Sequence, residues 1–156
     1  RRLVHRDLKP ENVFLARTDD GGEIVKVLDF GIAKFLSEDV PGARSLCETS
    51  AGMLVGTPNY LSPQQLLGEA SDAQSDLWAL AVTAYECLTG TLPFPTANRD
   101  QWRNAVLAGR YVPLERNLRD APERWRAFFV GCLAVGRELR PRTASEFLER
   151  MELALA

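Results

Sequence analysis

Four polar side chains near the start of the sequence are of types that handle phosphates and metal ions. Asp7, Lys9 and Asn12 lie close together, and Asp29 follows a short run of apolar and β-branched residues. A carboxylate can orient a hydroxyl and accept its proton, an ammonium group can bind a phosphate, and amide and carboxylate oxygens are hard ligands for Mg²⁺. An Asp-x-Lys or Asp-Phe-Gly triplet alone is usually a solvated turn, so only the combination points to a site.

Three motifs follow one another in the chain. Residues 5–12 read His-Arg-Asp-Leu-Lys-Pro-Glu-Asn, residues 29–31 read Asp-Phe-Gly, and residues 56–60 read Gly-Thr-Pro-Asn-Tyr. Together they resemble the eukaryotic-type protein kinase family over essentially the whole chain, and the wording is similar to its serine/threonine branch in bacteria. The resemblance implies transfer of the γ-phosphate of ATP, with Mg²⁺, to Ser and Thr hydroxyls of proteins, self-phosphorylation included.

The resemblance assigns roles to the residues around the nucleotide. Asp7 would orient the acceptor hydroxyl and take its proton, while Lys9 would reach the transferring γ-phosphate. Asn12 and Asp29 would bind the Mg²⁺ that bridges the ATP phosphates. Phe14 would form part of the apolar floor under the adenine.

A second group of residues is expected to shape the activation segment, residues 29–64. By resemblance, Arg6 would pair with a phosphate on this segment and order it. Thr49 and Ser50 are the candidate phosphate acceptors, although exposed loop hydroxyls without such a role are equally common. Thr57 would form part of the platform on which the substrate lies.

The family also uses buried anchors. His5 is the sole histidine, and the resemblance places it in a hydrophobic spine under Phe30 rather than in a catalytic role. Asp76, at the start of an apolar helix, would accept backbone N–H groups of the catalytic loop. Without the resemblance it would be read as a second helix-capping carboxylate.

One position departs from the family pattern. The activation segment usually closes with Ala-Pro-Glu, whose glutamate pairs with a buried arginine, whereas residues 62–64 here read Ser-Pro-Gln and Arg140 is retained. Gln64 can still accept a hydrogen bond, but it brings no opposite charge. We therefore expect a softer link between the activation segment and the helical core.

The elements that must position these residues begin with a small β-hairpin. Val13 to Leu15 and Ile24 to Leu28 are short apolar runs around the turn residues 18–22, which favours two paired strands. Residues 37–56 carry no sustained period and are predicted to form a long loop.

Helical signals dominate the rest of the chain. Ser71 and Asp72 can cap a helix whose residues 77–88 are almost all apolar and which ends at Gly90 and Pro93. Further helices are predicted around Trp102 and Val106, from Pro122, and from a capping box of Thr143 and Glu146. The predicted fold class is mainly α with a small β-hairpin, the C-terminal lobe of a protein kinase. Residues 1–156 would be one partial domain with catalytic loop 5–12, activation segment 29–64 and helical subdomain 72–156.

Composition excludes several other classes. With 19 basic and 21 acidic side chains, the formal charge is -2, so no nucleic-acid partner is expected. Cys47, Cys87 and Cys132 are too few and too scattered for a disulfide framework or a metal site, which favours the reducing cytoplasm. The longest apolar run is far shorter than the roughly 20 residues that cross a bilayer, so no membrane segment is predicted here, although other regions of a parent protein can carry an anchor.

The chain starts at Arg1 and contains neither a Gly-x-Gly-x-x-Gly loop nor a Val-Ala-Ile-Lys strand. We therefore expect a piece of a longer kinase that needs its N-terminal lobe in cis, is inactive alone and exposes apolar surface. A rival interpretation is a pseudokinase or kinase-like docking module without catalysis, which the intact catalytic motif disfavours. A truncated gene product without a role of its own is a third interpretation.

Overall fold

The computed structural model of the chain describes residues 3–29, 58–95 and 98–156. The described part starts with one antiparallel β-hairpin and continues as α-helices, which confirms the predicted mainly helical class with a small hairpin. The strands and helices are β1 (Val13–Arg17), β2 (Glu23–Val27), α1 (Pro63–Leu66), α2 (Ala73–Thr89), α3 (Arg99–Leu107), α4 (Glu123–Cys132) and α5 (Ala144–Leu155). Short 3-10 turns lie at Pro10–Asn12, Pro58–Tyr60, Leu114–Arg116 and Arg137–Leu139.

The hairpin follows directly after the catalytic loop. Its register pairs Val13 with Val27 and Arg17 with Glu23, so β1 is two residues longer than its apolar run predicts. Gly21 adopts a φ of 83° in the turn, a left-handed conformation that glycine tolerates without strain. Apolar side chains of both strands are exposed, Phe14 and Val25 among them.

Helix α2 is the centre of the core. Trp78, Val82 and Tyr85 are almost completely buried, as the apolar run predicts. The Tyr85 hydroxyl donates to the Val112 carbonyl at 2.8 Å and accepts from Asn117 Nδ2 at 3.1 Å, so its polar end is satisfied inside the protein.

Both ends of α2 carry the predicted signals. Asp72 is the N-cap: its side chain accepts from the Ser75 N–H at 3.0 Å, and Ser75 Oγ accepts from the Asp72 N–H at 3.3 Å. Gly90 ends the helix in the left-handed region, with φ 71°. The first residues of α2 are therefore fixed in position, which matters because Asp76 lies in this turn.

Aromatic rings join α2 to α4 and α5. The Tyr85 and Phe129 rings meet edge to face with centroids 5.3 Å apart, and the Phe128 and Phe147 rings do the same at 5.3 Å. Burying one phenylalanine contributes about 1.5 to 3 kcal/mol, and edge-to-face contacts add to this. The three helices therefore form one rigid support.

Two helix starts differ in detail from their sequence signals. At α5, Thr143 Oγ1 accepts from the Glu146 N–H at 3.1 Å, but Glu146 Oε2 accepts from the Arg142 N–H at 2.9 Å instead of returning to Thr143. Helix α1 was not predicted, although Ser62 and Gln65 form a complete capping box around Pro63 at the first helical position.

Candidate active site

The predicted catalytic loop, residues 5–12, is held by the first turn of α2. Asp76 Oδ2 accepts from the His5 N–H at 2.7 Å, and Asp76 Oδ1 accepts from the Arg6 N–H at 2.9 Å. Arg6 has a φ of 69°, a left-handed conformation that costs a long side chain about 1 to 2 kcal/mol. Two charge-assisted hydrogen bonds at this point stabilise the strained conformation.

Asp7, Lys9 and Asn12 meet in space. Lys9 Nζ lies 3.3 Å from Asp7 Oδ2. Asn12 Nδ2 donates to the Asp7 carbonyl at 2.7 Å and to Asp7 Oδ2 at 3.2 Å. Asn12 is buried, so its amide is fixed and two donors define the rotation of the Asp7 carboxylate.

The hairpin brings Asp29 back to the same loop. The Leu28 N–H donates to the Asn12 carbonyl at 2.8 Å, which extends the pairing of the two strands to the residue before Asp29. Asp29 is exposed and has a φ of 54°, a left-handed conformation that aspartate tolerates better than most residues. The residue before Asp29 is thus bonded to Asn12, with which Asp29 is expected to share a metal.

The residues present suit Mg²⁺. Because Asn12 Nδ2 points to Asp7, the remaining polar atom of that amide is Oδ1, an oxygen ligand. Among residues 3–29, 58–95 and 98–156, no three His, Cys, Asp or Glu side chains gather into a metal site of their own. That Asn12 and Asp29 hold the metal jointly with the phosphates stays a prediction.

His5 is buried and both of its ring nitrogens contact the backbone. Nε2 lies 2.9 Å from the Leu28 carbonyl, and Nδ1 accepts from the Asp7 N–H at 3.4 Å. The imidazole therefore connects the catalytic loop to the end of β2. Its contacts are those of an anchor rather than of a base facing a cleft.

The other predicted residues fall into two groups. Phe14 lies on β1 with 55% of its surface exposed, and Arg6 is half-buried in the catalytic loop. Phe30, Thr49, Ser50, Thr57 and the whole loop predicted at 37–56 lie outside the described residues.

Gln64 and Arg140 contact each other directly. Arg140 Nη2 donates to Gln64 Oε1 at 2.6 Å, and Gln64 Nε2 donates to the Val135 carbonyl at 3.2 Å. A glutamate could make the first bond but not the second, because a carboxylate has no N–H.

Arg140 is only 2% exposed. Its guanidinium carbon lies 5.4 Å from the centroid of the Trp78 ring, and its Nε has no hydrogen-bond partner within the described part of the chain. Burial, and after it the positive charge of Arg137, lower the pKa of Arg140 to about 10. The side chain stays charged at neutral pH, but its charge is poorly compensated.

Two contacts at the site have no signal in the sequence. The Tyr60 hydroxyl donates to Glu86 Oε2 at 2.7 Å, and burial together with this carboxylate raises the pKa of Tyr60 well above its usual range. Arg137 pairs with Glu69, with Nη1 to Oε2 3.3 Å. Neither partner could be assigned before the fold was known, since the residues lie far apart in the sequence.

Comparisons with known proteins show the family to which the chain belongs. Residues 1–151 match the family described as the protein kinase domain, so the chain belongs to the protein kinase family. Serine/threonine-protein kinase Pkn1 of Myxococcus xanthus is 52% identical over 94 residues, which cover 60% of this chain. The serine/threonine-protein kinase pkn2 of the same organism is 35% identical over 159 residues, which cover 97% of this chain. These matches confirm the predicted bacterial-like serine/threonine group.

A solved structure shows the same fold. The crystal structure of Rad53 1–466 in complex with AMP-PNP superposes with a TM-score of 0.69 at 29% identity and covers 97% of this chain. The chain spans 13% of Pkn1, 18% of pkn2 and 34% of that Rad53 chain.

Proposed function

We propose that the protein containing this chain transfers the γ-phosphate of ATP to serine or threonine hydroxyls of proteins. The observation that carries the proposal is the convergence of Lys9 Nζ and Asn12 Nδ2 on Asp7 Oδ2, at 3.3 Å and 3.2 Å. The family to which the chain belongs uses such a group for phosphoryl transfer.

Asp7 has the part of orienting the acceptor. Its carboxylate is held in one rotation, so an incoming hydroxyl can be aligned with the phosphate and can give up its proton to this side chain. Lys9 places a positive charge beside the carboxylate, where charge on a transferring phosphoryl group can be neutralised. Positioning and electrostatics supply most of the catalysis in this reaction class.

Asn12 and Asp29 have the part of binding the metal. Asn12 Oδ1 and the Asp29 carboxylate are hard oxygen ligands, and the two residues lie just before β1 and just after β2. Mg²⁺ held there would neutralise the phosphate charge of ATP. Phe14, exposed on β1, has the part of the apolar floor against the adenine. The glycine-rich loop that covers ATP phosphates in this family is absent from these 156 residues, and we assign it to an N-terminal lobe in cis.

Control is assigned to the activation segment. Arg6 would receive a phosphate placed on Thr49 or Ser50, including one placed there by the enzyme itself, and Thr57 would shape the substrate platform. Protein substrates that present Ser or Thr are the expected partners. Within the described part of the chain, none of the helices combines the length and apolar character that a membrane crossing requires, and we propose the cytoplasm, where ATP is supplied, as the site of the reaction.

The experiment uses the parent protein with its upstream lobe and labelled γ-phosphate of ATP. The unmutated chain is compared with Asp7→Asn and Asp29→Asn, and Asp19→Asn in the exposed hairpin turn serves as a matched control. We expect phosphoserine or phosphothreonine from the unmutated protein and the control only. Nucleotide binding by a folded protein without transfer, under any metal, would instead favour a docking module.

A further inference from the structure

Arg137 engages every nitrogen of its guanidinium. Nε donates to Gln74 Oε1 at 3.2 Å, Nη1 donates to Glu69 Oε2 at 3.3 Å, and Nη2 pairs with Asp72. Gln74 returns a bond from Nε2 to the Arg137 carbonyl at 3.1 Å. One planar cation is therefore fixed by three side chains from the stretch between α1 and the first turn of α2.

These partners join the same two stretches of chain as the Gln64 contact does. The Glu69 N–H donates to the Gln64 carbonyl at 3.0 Å, and the Arg140 N–H donates to the Arg137 carbonyl at 3.2 Å. The Glu69–Arg137 pair is thus the neighbour of the Gln64–Arg140 pair, with a backbone hydrogen bond on each side connecting them. In the buried Gln64–Arg140 pair only the arginine is charged, whereas both members of the more exposed Glu69–Arg137 pair are charged.

Charge explains why the Glu69–Arg137 pair matters in this chain. Burial and then Arg137 lower the pKa of Arg140, whereas Glu138 and, after it, Glu69 raise this pKa. With no carboxylate at position 64, these two carboxylates partly offset the charge of Arg140, and Glu69 also pairs directly with Arg137. A single exposed ion pair contributes little, but several partners on one guanidinium act together.

We propose that Arg137, with Glu69 and Asp72, is a positioning residue that fastens the end of the activation segment to the helical core, in place of the ion pair that Gln64 cannot form. The inference rests on the proposed kinase function, because α1 closes the segment on which a protein substrate would lie. The Arg137 side chain is 35% exposed and that of Glu69 51% exposed, so solvent ions reach the pair. Binding of the protein substrate is therefore expected to depend on this pair and on the ionic strength that screens it, whereas binding of ATP does not involve the pair.

The test uses the full parent protein with Arg137→Gln and, separately, Glu69→Gln. Arg126→Gln is the matched control, because Arg126 also pairs with two carboxylates, Glu115 and Glu123, and is 34% exposed. We expect the KM for a protein substrate to rise about two- to fivefold in both test variants, the range for a small ion-pair network. The KM for ATP is expected to stay unchanged, and raising the salt is expected to affect the unmutated protein more than the variants. Adding Gln64→Glu to Arg137→Gln is expected to restore the KM.

A second readout does not require activity. Hydrogen exchange of backbone amides at residues 65–69 is expected to accelerate in Arg137→Gln and Glu69→Gln but not in Arg126→Gln. Unchanged exchange in both test variants, or a KM that rises equally in the control, would overturn the inference. If the parent transfers no phosphate at all, the proposed function fails while the exchange rates still decide whether this contact holds the segment.

Discussion

Asp76 Oδ1 accepts a hydrogen bond from the backbone N–H of Arg6 at 2.9 Å, although 70 residues separate them in the sequence. The other carboxylate oxygen binds the neighbouring N–H of His5. Because Arg6 adopts a left-handed conformation, the loop that carries Asp7 depends on α2, which lies much later in the sequence. Without the bonds to Asp76, Arg6 would favour a backbone conformation with negative φ.

Asp76→Asn is expected to loosen the catalytic loop. The amide can accept from one N–H but turns its own N–H2 toward the other, which leaves a donor unsatisfied at a cost of about 1 to 3 kcal/mol. We expect lower thermal stability of the parent protein and a fall in kcat that exceeds any change in the KM for ATP. Asp100→Asn, in the first turn of α3, is the control because it removes the same charge from the first turn of another helix. Equal effects of the two substitutions would contradict the anchoring role.

Local signals in the sequence located most of the elements. The Asp72 cap, the apolar run through Val82 and the glycine stop at Gly90 predict α2 because each acts within one or two turns of the helix. The hairpin was predicted for the same reason. Helix α1 was missed although Ser62 and Gln65 carry its capping signal, since a helix of one turn has no hydrophobic period to draw attention to it.

Contacts between distant segments could not be predicted in the same way. The Glu69–Arg137 pair spans 68 residues, and the Gln64 bond to Val135 spans 71; nothing in the local pattern selects these partners. The motif resemblance did single out Asp7, Lys9 and Asn12, which contact one another in the structure, because it carries information about tertiary placement that periodicity lacks. Glu146 is a local example of the same problem. Its spacing from Thr143 predicts a bond from the Thr143 N–H, but its side chain accepts from the Arg142 N–H instead.

Gln64→Glu is expected to stabilise the parent protein. The bond from Arg140 to Gln64 is charge-assisted on the arginine side only, and a carboxylate would add the opposite charge to this buried pair. The carboxylate would also lose the Val135 bond, worth about 0.5 to 1.5 kcal/mol. We expect a net gain of about 1 kcal/mol in the free energy of unfolding, measured by chemical denaturation. Gln65→Glu is the control, since its partners are a backbone N–H and the Ser71 hydroxyl rather than an arginine. A loss of stability in Gln64→Glu would show that the amide bond to Val135 outweighs a restored ion pair.

Asn12→Asp is expected to destabilise the catalytic loop in a pH-dependent way. It replaces the Nδ2 that donates to Asp7 with an oxygen, so two carboxylates would lie about 3 Å apart and one would hold its proton more tightly when folded. A raised pKa in the folded state favours folding at low pH, and this stability is lost as the pH rises. The melting temperature should therefore fall further below that of the unmutated protein at about pH 7 than at about pH 5. Asn104→Asp, exposed on α3, adds the same charge and is expected to show no such trend.

Cys132 is expected to resist alkylation in the folded protein. Its side chain is buried on α4, and burial raises the pKa of the thiol from 9.0 to about 12. Only the thiolate reacts, so iodoacetamide at about pH 8.5 should modify the exposed Cys87 and leave Cys132 intact, as peptide mass mapping would show. Because the folded state holds this proton more tightly than the unfolded state, the contribution to stability is complete below pH 9 and is lost as the pH rises toward 12. Modification of both thiols in guanidinium is the control for reactivity, and modification of Cys132 at a rate comparable to Cys87 without denaturant would mean that α4 opens readily from the core.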